Sequence, residues 1–201
     1  MNAHRTIGCF VTGTDTGVGK TLASCGLLHA LARHHARVVG MKAVAAGAEP
    51  DGQGGWANED TLALRAASTL AVPPELDNPV LLPDPMSPHI AAQRAGRSIE
   101  IAHIVDSYRR LAEQADAVVV EGAGGWFTPL SQEQTFADWV MAERLPVTAS
   151  LALARTLPGN RSSLACKCQG HCGAIGLAGA PSGLVDGLLS LALPALPALP
   201  A

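Results

Sequence analysis

The stretch Gly13-Thr14-Asp15-Thr16-Gly17-Val18-Gly19-Lys20-Thr21 constrains this chain more than any other. An apolar run, 7–11, leads into it, and a helical pattern, 22–31, leads out. Strand, glycine loop and helix, in that order, make a phosphate-binding loop. Successive backbone N–H groups at a helix N-terminus point at one spot and bind an anion. Lys20 is placed to reach terminal phosphates, and the Thr21 hydroxyl to hold Mg²⁺. The glycines let the backbone approach a phosphate with no Cβ in the way. In the common pattern four residues separate the first glycine from Gly-Lys-Ser/Thr. Here five separate Gly13 from Gly19, and Gly17 is expected to supply the missing freedom.

The chain has 201 residues, enough for one sizeable α/β core, so a single domain over 1–201 is expected. Hydrophobic residues make up 48%, which argues for a globular chain over a disordered one. A net charge of −3 leaves no basic footprint for nucleic acid. No apolar run is long enough for a membrane span. Residues 1–5 lack the apolar stretch of a signal peptide, and a cytoplasmic protein is expected. Cys9 and Cys25 are expected to be packed thiols. Lysine occurs only at Lys20, Lys42 and Lys167, arginine serving elsewhere. Lysine at two glycine-bearing loops points to a compact charge for a phosphate.

Along the chain, Leu22, Leu27, Leu28, Ala30 and Leu31 recur at helical spacing and predict a buried stripe. The 38–44 run reads as a strand with Lys42 near its C-terminal end, where ligands of open α/β sheets gather. A polar, glycine-rich loop follows over 48–57. Asn58-Glu59-Asp60 opens a helix, and Asp60 fits either a helix N-terminus or a Mg²⁺ ligand. The proline-rich 72–88 segment excludes a regular central strand or helix and reads as an ordered loop that shapes a substrate pocket or a subunit contact. Ser98 is placed to cap a helix running to Gln114, with Ile101, Ile104, Val105, Tyr108 and Leu111 as its apolar face. A buried strand over 117–120 ends in Glu121-Gly122-Ala123-Gly124-Gly125, an acid beside a glycine turn and the second nucleotide-site signature. A helix over 135–145 and a strand from Leu145-Pro146-Val147 complete the pattern. The fold class is α/β, like the P-loop NTPases, with a mostly parallel sheet flanked by helices.

Over about 7–147 these residues resemble dethiobiotin synthetase, a family of biotin biosynthesis. The resemblance rests on Phe10-Val11-Thr12-Gly13-Thr14-Asp15-Thr16, Val18-Gly19-Lys20-Thr21, Asn58 with Asp60, Asn78-Pro79, Ser87-Pro88-His89, VEGAGGWFTPL over 120–130, and Thr135-Phe136-Ala137-Asp138-Trp139-Val140. It implies an ATP-dependent carboxylation that closes a ring. One amine of 7,8-diaminopelargonic acid takes up CO₂ as a carbamate, ATP phosphorylates it, and the second amine closes the ureido ring, giving dethiobiotin, ADP and phosphate. By resemblance Lys20, Lys42 and Thr16 are catalytic. Thr14, Asp15, Thr16, Gly17, Val18, Gly19, Lys20 and Thr21 bind ATP together with Asp60, Glu121, Gly122, Ala123 and Gly124. Lys42, Ala46, Gly122 and Gly125 meet substrate, and Thr21, Asp60 and Glu121 hold Mg²⁺. The family is a homodimer.

The sequence also departs from that family. Lys-Pro-Val-x-Ser-Gly is usual at the second lysine, whereas this chain reads Lys42-Ala43-Val44-Ala45-Ala46-Gly47. Loss of the serine hydroxyl at Ala46 predicts weaker binding by about 0.5–1.5 kcal/mol. After Val147 the family's Gly-Cys-Ile/Leu-Asn-His and Gly-Trp-Val-x-Asn segments, the latter reading adenine, have no counterpart. In their place stand Cys166-Lys167-Cys168-Gln169-Gly170-His171-Cys172 and a closing Ala/Leu/Pro repeat, 191–201. Two readings of 166–173 stand: a metal site of Cys166, Cys168, His171 and Cys172, strained by its crowding, or a shifted reading frame that hides a helix. A tail without the family's strands is expected to leave a sheet edge open. Besides an active synthetase, two alternatives stand: a remnant that binds phosphate without turnover, and a ParA-like ATPase switch.

Overall fold

Burial on both faces of short apolar strands decides how this chain layers. A computed structural model describes residues 6–52, 54–151 and 172–176. In chain order the elements are β1 (Ile7–Gly13), α1 (Lys20–Leu31), β2 (Val38–Lys42), β3 (Val44–Ala46), β4 (Glu49–Pro50), β5 (Trp56–Ala57), α2 (Glu59–Ala67), α3 (Pro74–Asp77), β6 (Val80–Leu82), α4 (Pro88–Arg94), α5 (Ile101–Gln114), β7 (Ala117–Glu121), α6 (Phe136–Ala142), β8 (Val147–Leu151) and β9 (Cys172–Gly176). The main sheet has the order β2-β7-β1-β8-β9, and every pairing in it is parallel. Both faces of a parallel sheet are covered, so its strands read as continuous apolar runs. All residues of β2 and β7 are buried.

On one face Phe10, Val39, Met41, Val118 and Val120 pack with Ile104, Tyr108 and Leu111 of α5 and Trp139 and Val140 of α6. On the other, Val11, Val38 and Val119 pack with Leu27 and Leu28 of α1 and Leu64 of α2. Register then sets the site: Lys42 lies opposite Glu121, Glu121 opposite Val11, and Gly13 opposite Ser150. The C-terminal ends of β1, β2, β7 and β8 therefore lie together at one end of the sheet.

Several expectations are corrected. Leu22 is 76% exposed, because Ala23, Leu27 and Ala30 mark the inner side of α1 and Leu22 lies on the opposite side. The run over 38–44 is not one strand: the chain leaves the main sheet at Ala43, and β3 pairs with β6 instead. The 48–57 loop carries a two-residue antiparallel pair, β4 with β5. The proline-rich 72–88 segment holds a one-turn helix, α3, with proline in its first turn, as well as β6. Glu100, not Ser98, is the N-cap of α5, and the Ser98 hydroxyl donates to the Glu100 carboxylate at 2.6 Å. α6 stops at Ala142 because Arg144 turns left-handed, with φ of 53°. The edge expected to stand open is paired: β9 lies parallel to β8. Cys166, Cys168 and His171, and with them the metal-site and shifted-frame readings, lie outside the described residues, as does the terminal repeat. No helix among the described residues is long and apolar enough to cross a membrane.

Candidate active site

The glycine loop owes its shape to three different demands. Gly13 closes β1, where a Cβ would stand 2.5 Å from Val18 Cγ2 and 3.2 Å from Lys20 Cδ. The displaced first glycine therefore admits the returning loop. Gly17 (φ 73°) and Gly19 (φ 87°) are left-handed, a conformation costly for other residues. Gly19 caps α1 with no side-chain hydrogen bond, which leaves the first-turn N–H groups to an anion. Within the loop the Thr16 N–H donates to Asp15 Oδ1 at 2.7 Å, and Lys20 Nζ to the Asp15 carbonyl at 2.7 Å. β8 clasps both arms: the Ser150 hydroxyl donates to the Val18 carbonyl at 2.7 Å, and the Thr14 N–H to the Ser150 carbonyl at 3.3 Å.

Beside the loop lies a charge cluster. Lys42, only 4% exposed, donates from Nζ to Asp60 Oδ2 at 2.6 Å and to Glu121 Oε1 at 2.7 Å. The Thr21 hydroxyl lies 2.7 Å from Asp60 Oδ1 and 3.1 Å from Glu121 Oε1, a donor for either. Glu121 is fully buried, and its Oε2 has no partner among the described residues. Burial pushes the Asp60 carboxyl up, but the Lys42 charge and hydrogen bond, Thr21 and the Lys20 charge outweigh it and hold the group below its ordinary value. Lys20 is pushed down by burial and by the nearby Lys42 charge, against the pull of Glu121, Asp60 and Asp15. Such crowding of opposite charges at strand ends marks functional sites.

These groups line a cavity of about 720 Å³. Asp15, Thr16, Gly17, Gly19, Lys20, Thr21, Lys42, Ala46, Asp60, Ala123, Gly124 and Gly125 all face it. Glu121 and Gly122 are buried and, like Thr14 and Val18, are not among the residues that face the cavity. Gly122 is where the chain passes under Phe10, whose Cζ would be 2.7 Å from a Cβ there. That ring packs on Trp126, Phe136 and Trp139 with centroids 6.1, 5.6 and 5.9 Å away, pinning the second glycine turn to the core. At the first departure from the family pattern, the Ala43 N–H donates to the Glu121 carbonyl at 3.4 Å, a bond that proline cannot make. Pro85 and Met86 of the proline-rich segment, read as a loop that shapes a pocket, do line it, whereas Thr128 was not singled out. Thr128 lies over Gly124, whose Cβ would be 2.6 Å from its Oγ1. Ser87 and Pro88 also line the cavity and were visible in sequence as a matched stretch without a role.

A family model described as AAA domain, AAA_26, matches residues 8–149. Over 138 residues the chain is 52% identical to the ATP-dependent dethiobiotin synthetase BioD of Serratia marcescens and to BioD 1 of Escherichia coli O157:H7. It is 47% identical over the same length to BioD of Yersinia pestis bv. Antiqua (strain Angola). These matches cover 69% of this chain and 60%, 61% and 57% of the respective relatives. The chain thus spans about 60% of the length of the curated relatives it matches. The family match stops close to Val147, where the sequence departs from the family pattern.

Proposed function

We infer the function from the family to which this chain belongs, the AAA domains of the AAA_26 family, and from its likeness to dethiobiotin synthetases. The reading is an ATP-dependent ligase that carboxylates 7,8-diaminopelargonic acid with CO₂ and closes the ring to dethiobiotin, releasing ADP and phosphate. One observation carries it: Lys20, Thr21, Lys42 and Asp60 face one cavity, and Glu121 is buried against Lys42 and Thr21, the five coming from four separate elements. Phosphoryl transfer asks for positioning and charge neutralisation more than covalent chemistry, and this convergence supplies both.

The loop N–H groups and Lys20 receive the phosphates of ATP. Thr16 and Asp15 shape the loop's outer turn. Lys42 presents its ammonium to the carbamate and to the phosphoryl moving onto it. The amine of the diamine attacks CO₂ and loses a proton as the carbamate forms. The carbamate oxygen then takes the terminal phosphoryl of ATP, and ADP leaves. The second amine attacks the activated carbonyl carbon, the C–O bond to phosphate breaks, and the amine gives up a proton as phosphate departs. Thr21, Asp60 and Glu121 form an oxygen donor set that fits Mg²⁺, and the unpartnered buried Glu121 Oε2 favours a cation there. When bound, that ion neutralises charge on the phosphate oxygens. Two carboxylates and a hydroxyl suffice beside phosphate; no group of three His, Cys, Asp or Glu side chains among the described residues is arranged for a metal. A cytoplasmic homodimer is part of the proposal, by analogy with the family.

The test is phosphate release with ATP, Mg²⁺ and bicarbonate, with and without diaminopelargonic acid. Release that depends on the diamine and disappears in Lys20→Ala supports the reading. Release indifferent to the diamine overturns it in favour of an ATPase switch. Soluble protein with no release overturns it in favour of a remnant that binds phosphate without turnover.

A further inference from the structure

Lys42 and Asp60 meet in the cavity, but no single element holds them there. Lys42 is the last residue of β2, directly before the chain leaves the main sheet. Asp60 stands in the first turn of α2. Two asparagines join these pieces. Asn58 caps α2 by accepting from the Thr61 N–H at 3.3 Å, and its Nδ2 lies 3.4 Å from the Ala46 carbonyl and 3.3 Å from the Gly47 carbonyl. Asn78, 8% exposed, donates from Nδ2 to the Lys42 carbonyl at 2.8 Å and to the Val80 carbonyl at 3.2 Å. Its own N–H donates to the Pro74 carbonyl at 3.1 Å. The preceding residue, Asp77, is buried and takes a two-pronged bond from Arg65, in the last turn of α2, at 2.6 and 2.7 Å.

α2 is thus fastened at both ends to the 42–47 segment. Asn58 does so at the Asp60 end, and Arg65, Asp77 and Asn78 do so at the other. We propose that Asn78 is a positioning residue that fixes Lys42 through its carbonyl, and that Asn58 and Asn78 together set the Lys42–Asp60 separation. The chemistry requires an amide: a carboxamide nitrogen carries two donors, and both meet carbonyls here. An aspartate of the same shape turns an acceptor toward two acceptors. Only the kinetic arm of the test rests on the proposed function.

The experiment labels the nucleotide-free protein with limiting acetic anhydride and follows Lys42 and Lys20 by peptide mass spectrometry. In the wild type both ammonium groups are buried and Lys42 is held by two carboxylates. In Asn78→Ala, labelling of Lys42 rises about fivefold while that of Lys20 stays unchanged, as local release predicts. Asn78→Asp, which keeps the side-chain shape, gives the same result and carries the test if the alanine variant does not fold. Unchanged labelling of Lys42 in a folded variant overturns the proposal, and so does an equal rise at Lys20, which reports general loosening. In turnover, kcat falls about 100-fold with the KM for ATP unchanged, the cost of a misplaced group. Labelling needs no turnover, so an inactive wild type refutes the proposed function and leaves Lys42 labelling to decide the positioning.

Discussion

The two walls of the cavity are built on opposite plans. The loop wall is one stretch, 13–21, shaped by backbone conformation: two left-handed glycines and a third too crowded for a Cβ. The far wall takes Lys42 from β2, Ala46 from β3, Asp60 from α2 and the 85–88 turn, with Glu121 of β7 buried behind. Its shape comes from charge pairs and side-chain amide hydrogen bonds between distant segments. A wall made of backbone is broken by adding atoms, and a wall made of side chains by removing them.

The largest effect that tests this contrast is expected at Glu121→Ala. Lys42 loses one of its two carboxylates in a buried setting, which destabilises by about 3 kcal/mol, and phosphate release falls about 1,000-fold. Urea denaturation and single-turnover phosphate release measure the two effects. A wild-type midpoint would mean that the far wall does not depend on its charges. Next comes Lys20→Ala, expected to lose about 100-fold or more in phosphate release, with steady-state kinetics as the check. Gly13→Ala adds one methyl to the loop wall against Val18 and is expected to cost about 2 kcal/mol. Thermal unfolding with and without ATP tests it, since the stabilisation by ATP should shrink with the loop's distortion. Ser150→Ala removes one hydrogen bond to the loop, about 1 kcal/mol, and should raise the KM for ATP by less than tenfold.

The smallest effect is in pH. Asp60 is held below its ordinary carboxylate value when folded, so the unfolded chain binds its proton more readily. Its stabilisation is present above that ordinary value of 3.8 and fades as pH falls through the folded value. The difference in thermal midpoint between wild type and Asp60→Asn should therefore shrink from neutral pH to acid. A constant difference would show that Asp60 acts through shape and not through charge.

The same contrast decides what could be read from the sequence. The loop wall was legible because its cause is local: Gly17, Gly19, Lys20 and Thr21 act through their own backbone and their place on α1. Lys42 and Glu121 were legible because parallel strands deliver their last residues to one end of the sheet. Asp60 was legible as a helix-opening acid or a Mg²⁺ ligand, and it stands in the first turn of α2 with Lys42 and Thr21 on its two oxygens. The break at Ala43 was hidden, since the apolar run over 38–44 does not record which sheet each residue joins. Leu22 was misplaced because it fits the composition of a buried stripe but not its angle. Asn78 and Ser150 act on segments 36 and 132 residues away, and the residues around them do not record those contacts.

The bond from Ser150 to the loop spans 132 residues of chain. During synthesis the loop sequence emerges near the start, whereas the strand that clasps it comes much later. Contacts so distant in sequence form late, because the intervening chain must be ordered first. The phosphate loop is therefore among the first parts to be made and among the last to be finished. A nascent chain halted before residue 150 carries the whole motif without its clasp.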